Sequence, residues 1–395
     1  MNPTDIKSAQ FIDTYYPLVD GVVNTVHNYA TLMNKSAYSC VIAPRCRQSY
    51  DDKSFSYDVL RTTSIDIPFT EYVIPAPRAD RSLKAFLKVK KIDIYHAHSP
   101  FTEGTIAAYY AKKLSIPCVA TFHSKYYDDA LHLSHSKMIA KAVTNKIVRF
   151  YNAVDSVWAC SEGTADTLRS YGYKGDIFVM DNGSSMTFPE NPDELRKKVR
   201  EQYDLPENKN VLLFVGQQIW HKNLKLVLDT FRLLCDHSDD YRLVIVGDGY
   251  DANKIRKYAD SLSFPDGAVR FLGKIINKEI IQGMYLNADL LFFPSVYDNS
   301  PLVVREAASL GVPSLLTEGS NAAEAVEKNF SGFTAAENKL AMYSEIVRIF
   351  SDHNRLKEIS ENAQKTIPKT WEQIVASVQE KYAEILEKYR FEHPC

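Results

Sequence analysis

The chain has 395 residues, of which 45% are hydrophobic and 24% are charged, and its formal net charge is −2. This length suits two domains of roughly 150–200 residues each. The composition is ordinary for a globular protein. So small a net charge argues against a nucleic-acid-binding protein, which normally carries a strongly basic surface.

Cysteine spacing and hydropathy indicate a reducing compartment and no membrane span. The six cysteines include no pair at CxxC spacing, which argues against a zinc site. Scattered thiols of this kind suit a reducing cytosol. The N-terminus shows no signal-peptide pattern, and no apolar run approaches the ~20 residues of a transmembrane helix. We therefore expect a cytoplasmic protein, with peripheral contact at the inner face of the membrane as an open alternative.

Short apolar runs alternate with longer helical patterns along the whole chain. Many of the runs are continuously apolar, which is typical of parallel strands covered on both faces. Strand–helix alternation of this kind predicts an α/β fold with doubly wound sheets. The predicted strands are 10–12, 38–43, 92–96, 118–122, 156–159 and 177–180 in the first half, and 211–215, 242–246, 269–272, 290–293 and 313–316 in the second.

A stretch rich in Pro, Asp, Glu, Lys and Asn, residues 188–208, separates the two series. We place the domain boundary there, which predicts an N-terminal domain over 1–187 and a C-terminal domain over 188–371. The last helix, about 372–395, is expected to pack back on the first domain. Two such Rossmann-like domains facing a central cleft would bind ligands at the carboxyl ends of their strands.

The segment 297–306, YDNSPLVVRE, is the richest in chemistry. Ser300 is a suitable N-cap and Pro301 is suited to the first helical position, so the sequence predicts a helix that opens at Pro301. The free N–H groups and the dipole of a helix start form an anion site that suits a diphosphate. Asp298 lies in the preceding loop and Glu306 lies in the helix. The alternative is an ordinary capped strand–loop–helix unit with surface acids.

This segment resembles the donor-site signature of glycosyltransferase family 4, a group of retaining enzymes with the GT-B fold. The signature has two Glu separated by seven residues, and Asp298 and Glu306 occupy the two places, with Asp for Glu at the first. The resemblance implies that Asp298 contacts the donor sugar and Glu306 the ribose. It also implies that the intervening backbone holds the diphosphate, at Asn299, Ser300, Pro301, Leu302 and Val303.

The resemblance extends through the second half of the chain. The family usually has Arg directly after the glycine that follows the first strand of this domain, and Lys five residues later. Here Gly216 is followed by Gln217, which has no charge, while Lys222 matches the Lys. Lys274 lies in a strand-end turn that resembles a base-reading loop of the family. These residues are therefore implied to bind the donor, with Lys222 also acting in catalysis; for Lys222, a solvated lysine at a helix start is the alternative.

In the first half, three residues follow predicted strands. Gly21 would let the backbone approach a phosphate or sugar, although such a glycine is usually just a turn. His98 and His123 end two strands, and each alone is more often structural than catalytic. The resemblance implies that His123 lies against the donor sugar at the reaction centre, as a catalytic residue alongside Asp298 and Lys222. His98 is the lesser candidate.

The resemblance implies a retaining glycosyltransferase that moves a hexose from a nucleotide-sugar, with UDP favoured, to a glycan or lipid-linked acceptor. No cofactor is expected, and no Asp-x-Asp cluster is convincingly placed to carry a divalent ion, so we expect a metal-independent reaction. The alternatives are a nucleotide-sugar 2-epimerase or an inverting transferase on the same fold. The Gln217 and Asp298 departures also leave open a catalytically impaired nucleotide-sugar-binding protein.

Two basic stretches in the first half suggest contact with an anionic membrane, for which each base contributes about 1 kcal/mol near the surface. The alternative is a solvated helix face. One stretch is a helical pattern over 136–151 without an acidic residue. The other carries only one acid among its bases, which are Arg78, Arg81, Lys84, Lys88, Lys90 and Lys91.

Overall fold

The computed structural model describes residues 2–47, 50–67, 73–76 and 80–394. Arg78 and Cys395, on which two of the sequence predictions drew, lie outside the described residues. The chain divides into two compact units, Met1–Gly183 with Thr370–Cys395, and Ser184–Lys369. The observed boundaries follow Gly183 and Lys369, a few residues before the predicted ones at 187 and 371.

A parallel sheet of seven strands forms the centre of the first unit, in the order β3-β2-β1-β6-β7-β8-β9. A separate antiparallel pair, β4 and β5, follows β3 along the chain. The strands are β1 (Ser8–Phe11), β2 (Ser39–Pro44), β3 (Asp58–Thr62), β4 (Ser64–Asp66), β5 (Val73–Pro75), β6 (Ile94–Ala97), β7 (Cys118–Phe122), β8 (Ser156–Ala159) and β9 (Ile177–Val179).

Helices of the first unit connect consecutive strands of this sheet, and the last helix of the chain, α14 (Trp371–Glu392), belongs to the same unit. Most of the helices begin at a residue whose side chain caps the first turn, such as Asp20 before α1 and Ser161 before α6. The helices are α1 (Gly21–Met33), α2 (Arg81–Lys90), α3 (Thr102–Leu114), α4 (Tyr126–Ser134), α5 (Lys137–Tyr151) and α6 (Glu162–Ser170).

The second unit contains a parallel sheet of six strands in the order β12-β11-β10-β13-β14-β15. Its strands are β10 (Asn210–Val215), β11 (Tyr241–Val246), β12 (Val269–Gly273), β13 (Leu290–Phe292), β14 (Ser314–Thr317) and β15 (Phe333–Ala335). Its helices are α7 (Pro192–Tyr203), α8 (Leu224–His237), α9 (Ala252–Ser261), α10 (Lys278–Leu286), α11 (Leu302–Ser309), α12 (Lys339–Phe350) and α13 (His353–Thr366).

The predicted α/β class with two parallel sheets is confirmed, and each predicted strand has a counterpart. The structure adds strands that the sequence analysis missed: β3, β4, β5 and β15. The Pro-rich stretch 188–208 contains α7, and Pro192 fits the first turn of that helix because its missing N–H is not needed there.

Strand order reverses once in each sheet, and this positions the candidate sites. β1 lies between β2 and β6, and β10 lies between β11 and β13. At such a reversal the loops on the two sides diverge and leave a crevice outside the carboxyl ends of the strands. The loops that follow β1, β6, β10 and β13 carry most of the predicted site residues.

Candidate donor site and histidine cluster

An ion pair joins two predicted site residues of the second unit. Lys222 ends a 3-10 helix, Trp220–Lys222, in the segment after β10, and Asp298 lies in the loop after β13. The Lys222 Nζ atom contacts the Asp298 Oδ1 atom, and the two side chains are only 13% and 16% exposed. The neighbouring strands β10 and β13 therefore bring together two residues that lie 76 positions apart in the chain.

Both partners of this ion pair have further contacts that hold them in place. The Ser295 hydroxyl, which is fully buried, donates to Asp298 Oδ2 at 2.6 Å. The Lys222 ammonium also lies 5.7 Å and 5.9 Å from the ring centroids of Phe293 and Tyr297, within the range of a cation–π contact. The lysine charge is thus held in place by several contacts.

The start of α11 differs from the prediction. Pro301 is the N-cap, with φ −66° and ψ 126°, and the helix begins at Leu302. The predicted Ser300 cap is therefore wrong: Ser300 Oγ instead accepts a hydrogen bond of 3.1 Å from Arg305 Nη1. The N-cap residue itself makes no side-chain hydrogen bond to the first turn of α11. Such a turn retains the donor character that makes a helix start attractive to anions.

Glu306 lies half-buried in α11. The hydroxyl of the fully buried Tyr285 donates to its Oε2 atom at 3.0 Å. Burial raises the pKa of Glu306, while the Tyr285 hydrogen bond and the Lys278 charge act in the opposite direction. The carboxylate is thus oriented by one neutral donor, which leaves acceptor capacity for a second hydroxyl.

The remaining residues of the predicted donor segment are close to Glu306 in the chain. Asn299 is buried, and its Oδ1 atom accepts from Asn321 Nδ2 at 2.9 Å. Leu302 and Val303 are half-buried in the first turn of α11. Arg305, to which the sequence analysis gave no role, is a buried cation whose contact with Ser300 braces this turn; an arginine in a helix has no sequence pattern that distinguishes it.

Close packing joins the loops after β10 and β11. The Gly216 N–H donates to Val246 O at 3.0 Å. Gly247 has φ +131°, and a Cβ there would lie 1.9 Å from Gly216 O, so only glycine fits this position. Gln217 is exposed, whereas Gln218 is fully buried and donates to Gly247 O at 2.7 Å. Gln217 is thus accessible, and Gln218 holds the loops together.

Lys274 is exposed directly after β12, where Gly273 has φ +69°. Gly21, in the first unit, is the first residue of α1. A Cβ at Gly21 would have no atom within 4 Å. Packing against the described part of the chain therefore does not require glycine there.

Histidines at the ends of β6 and β7 are in contact in the first unit. His98 Nδ1 lies 3.2 Å from His123 Nε2, and the rings are 5.5 Å apart at an angle of 23°. His98 Nε2 lies 2.9 Å from Oε1 of the buried Gln10 in β1. Burial lowers the pKa of His123 to about 4 and that of His98 well below its ordinary value. Both rings are therefore neutral near pH 7.

A third histidine, His96, has a structural role in the same cluster. It is fully buried in β6 and stacks on His98 with ring centroids 4.1 Å apart. Its two ring nitrogens lie 2.6 Å from the Tyr382 hydroxyl and 2.6 Å from Thr121 Oγ1. Tyr382 belongs to α14, so this contact attaches the last helix of the chain to the sheet.

A cavity of the second unit lies away from these residues. It has a volume of about 560 Å³ and adjoins the amino ends of β10 and β11, where Asn210, Tyr241 and Asp289 line it. None of the predicted site residues is among its lining residues. Within the described ranges, no group of three or more His, Cys, Asp or Glu is arranged to hold a metal ion. In the same ranges no helix is long and apolar enough to cross a bilayer.

Comparison with known families matches nearly the whole chain in two segments. Residues 19–186 match the model for Glycosyltransferase Family 4, and residues 196–366 match that for Glycosyl transferases group 1. The second segment contains the Lys222–Asp298 pair and Glu306.

Several curated proteins are similar to the chain. An alpha-monoglucosyldiacylglycerol synthase of Streptococcus pneumoniae is 26% identical over 78% of this chain and 70% of its own length. A GDP-mannose-dependent alpha-mannosyltransferase of Corynebacterium glutamicum is 24% identical over 96% of this chain and 89% of its own length.

Solved structures share the fold. Anabaena Alr3699/HepE, in complex with UDP-glucose, superposes with a TM-score of 0.74 at 18% identity, covering 97% of this chain and 100% of that one. The sucrose-phosphate synthase of Thermosynechococcus elongatus gives a TM-score of 0.74 at 16% identity, covering 97% and 100%. The two family matches and the shared architecture show that this chain belongs to the family 4 glycosyltransferases of the GT-B fold.

Proposed function

We propose that this protein is a retaining, metal-independent hexosyltransferase that uses a UDP-sugar and acts on a lipid or lipid-linked glycan. The observation that carries the proposal is the Lys222–Asp298 pair in the same unit as the start of α11 and the carboxylate of Glu306. The anion-binding groups suit a diphosphate, and the carboxylate suits a ribose. Structural neighbours solved with UDP and UDP-glucose support the choice of UDP, and the GDP-mannose-dependent relative makes GDP the alternative.

The ion pair implies an exchange of partners when the donor binds. A diphosphate carries more charge than one carboxylate and would compete with Asp298 for the Lys222 ammonium. Asp298, relieved of that partner, would then accept hydrogen bonds from the sugar hydroxyls, with Ser295 still orienting its second oxygen. One methylene fewer than Glu shortens the reach of Asp298, so we expect the sugar to lie close to the loop after β13.

Charge stabilisation on the leaving group is the main catalytic task of this site. As the bond between the sugar and the β-phosphate breaks, negative charge develops on the diphosphate oxygen. Lys222 and the N–H groups at the start of α11 would stabilise that charge as fixed donors. In the reaction we propose, the acceptor hydroxyl attacks the same face of the sugar and passes its proton to the departing diphosphate. His123 would accept a hydrogen bond from the donor sugar.

The lipid acceptor and the membrane contact are argued from one exposed surface of the first unit. We define the α4–α5 surface as Leu133, Lys137, Met138, Ile139 and Lys141. Leu133 and Met138 are 82% and 80% exposed, and both lysines are exposed beside them. Apolar side chains flanked by bases suit insertion into an anionic interface. The names of relatives that act on diacylglycerol or diphospho-undecaprenol support a lipid acceptor.

A donor screen tests the nucleotide and the reaction together. UDP-, GDP- and ADP-sugars are compared by thermal shift, where a donor at 100 times its dissociation constant adds about 2.7 kcal/mol of stability. The anomer of the product is then read by NMR, in buffer with and without EDTA. An inverted anomer would contradict the retaining proposal, and loss of turnover with EDTA would contradict metal independence.

Sedimentation with vesicles tests the membrane contact. We expect binding to anionic vesicles at low salt and weak binding to zwitterionic ones. Exchanging Lys137 and Lys141 for Glu should abolish binding to the anionic vesicles. The matched control exchanges Lys357 and Lys365, which lie on α13 in the second unit, for Glu. Equal binding of both double variants would exclude the α4–α5 surface as the contact.

A further inference from the structure

A chain of hydrogen-bonded polar side chains in the first unit includes His123. It runs from Gln10 in β1 to His98 after β6 and then to His123 after β7, with contacts of 2.9 Å and 3.2 Å. Gln10 and His98 are 0% and 1% exposed, whereas His123 is half-buried. An unpaired polar group in such a place costs about 1–3 kcal/mol. These three side chains therefore depend on the hydrogen bonds between them, and in each of those bonds one atom must donate and the other accept.

Gln10 determines that direction. Its Nε2 atom lies 3.1 Å from Ser8 Oγ and 3.9 Å from Met33 Sδ. A thioether sulfur can only accept, so the NH₂ group faces Met33 and the carbonyl oxygen Oε1 faces His98. His98 must then carry its proton on Nε2 in order to donate to Oε1. A neutral imidazole has one N–H, so His98 Nδ1 is an acceptor.

We propose that Gln10 and His98 are positioning residues that hold His123 in the tautomer with its proton on Nε2. Because His98 Nδ1 can only accept, the His123 Nε2–H group donates to it across the 3.2 Å contact. The other ring nitrogen of His123, Nδ1, is then a hydrogen-bond acceptor. Which nitrogen of a histidine carries the proton is set by the partner of the other nitrogen.

The importance of this tautomer for catalysis rests on the proposed function, whereas the tautomer itself does not. A sugar hydroxyl is a donor, so a His123 ring that presents Nδ1 as an acceptor can bind and orient it without a charge. The reverse tautomer would present N–H to the same hydroxyl. The hydrogen bonds from Gln10 through His98 would also keep the His123 ring in one orientation. This matters because small misplacements at a reaction centre cost up to about 100-fold in rate.

Ring-nitrogen NMR on the full chain measures the tautomer directly. The protein is labelled with ¹⁵N-histidine and studied near pH 7.5, and His98→Asn and His123→Asn assign the signals. We expect His123 to show a protonated Nε2 and a bare Nδ1, and His98 to show the same pattern. A His123 ring with its proton on Nδ1 would overturn the inference. The tautomer is read from the unsubstituted protein, and the two variants serve only to assign its signals.

Two substitutions at His98 separate positioning from packing. His98→Leu removes the acceptor and should shift the His123 ring-nitrogen signals toward a tautomer mixture, whereas His98→Asn keeps an acceptor oxygen and should preserve the Nε2–H form. Unchanged His123 signals in His98→Leu would also overturn the inference. The matched control is His353→Leu, an exposed histidine of the second unit.

Kinetics on the same proteins test the consequence for transfer. We expect His98→Leu to lower kcat by about 10- to 100-fold while the donor KM changes by no more than about twofold, and His98→Asn to recover most of kcat. If the NMR pattern is as expected and kcat is unchanged, the hydrogen-bond chain stands, and the role of His123 in the proposed function fails instead.

Discussion

The candidate sites lie at the carboxyl ends of the strands in the two sheets, which we call the first edge in the first unit and the second edge in the second unit. The electrostatics of the two edges are opposite. At the first edge, titratable groups are held neutral: burial lowers the pKa of His123 to about 4 and raises that of Glu103 to about 8. At the second edge, Lys222 and Asp298 form an ion pair in a partly buried loop.

Both edges arise from the same topology, in which strand order reverses at β1 or at β10. The difference therefore comes from burial and partners and not from the fold. A neutral edge suits hydrogen bonding to sugar hydroxyls, which carry no charge. A charged edge suits a diphosphate, whose charge grows as it leaves.

Removing Lys222 should give the largest effect and tests the charged edge. Lys222→Ala deletes the only side-chain cation that the proposal places at the diphosphate, so turnover should fall by at least about tenfold. Steady-state kinetics measure this. Lys225→Ala is the control, because Lys225 is a nearby exposed lysine that pairs with Asp229. Near-normal turnover of Lys222→Ala would remove it from the site.

Glu306→Ala tests whether the second carboxylate of that edge binds the ribose. Loss of a charge-assisted hydrogen bond should weaken nucleotide binding by about tenfold, measured by calorimetry with UDP. Glu194→Ala, an exposed acid on α7, serves as the control. An unchanged dissociation constant would exclude the ribose role.

The neutral edge predicts an unusual pH dependence of stability. Glu103 is fully buried, with one oxygen bonded to Thr62. Its folded pKa of about 8 lies above its ordinary value, so its stabilising contribution is complete below about pH 4.5 and is lost as pH rises toward 8. The Glu103→Gln variant has no such group to ionise, so it should not lose this stability, which amounts to a free energy of unfolding on the order of 1 kcal/mol per pH unit.

Urea unfolding between pH 5 and 9 measures that difference. The Glu103→Gln variant should gain stability relative to the unchanged protein as pH rises. The control is Glu162→Gln, an exposed acid in the first turn of α6. Parallel stability curves for the Glu103→Gln variant and the unchanged protein would mean that the first edge tolerates a buried charge.

The smallest effect concerns how the helices at the two edges begin. Asp20 caps α1 through a hydrogen bond of 2.8 Å to the Val23 N–H, whereas Ser300 does not cap α11. Asp20→Ala should therefore cost about 1 kcal/mol, and Ser300→Ala should cost less. Chemical denaturation compares the two variants. A larger cost for Ser300→Ala would indicate that its contact with Arg305 matters more than a cap.

Local sequence patterns were enough to predict much of the fold of this protein. Continuous apolar runs predicted the central strands, and the residues directly after them predicted where polar side chains would gather. Periodicity is a property of neighbouring residues, so it can be read without the fold. β3 and β15 were missed because their sequences, DVLRT and FTA, contain few consecutive apolar residues, so neither stands out as an apolar run.

Only the tertiary structure decided which of those polar residues are partners. The pairing of Lys222 with Asp298 and of Gln10 with His98 joins residues 76 and 88 positions apart. Strand order and register set such contacts, and both depend on the packing of whole sheets. The same holds for charge: the sequence shows a histidine or a glutamate, but burial decides whether it is ionised, and burial exists only once the chain has folded.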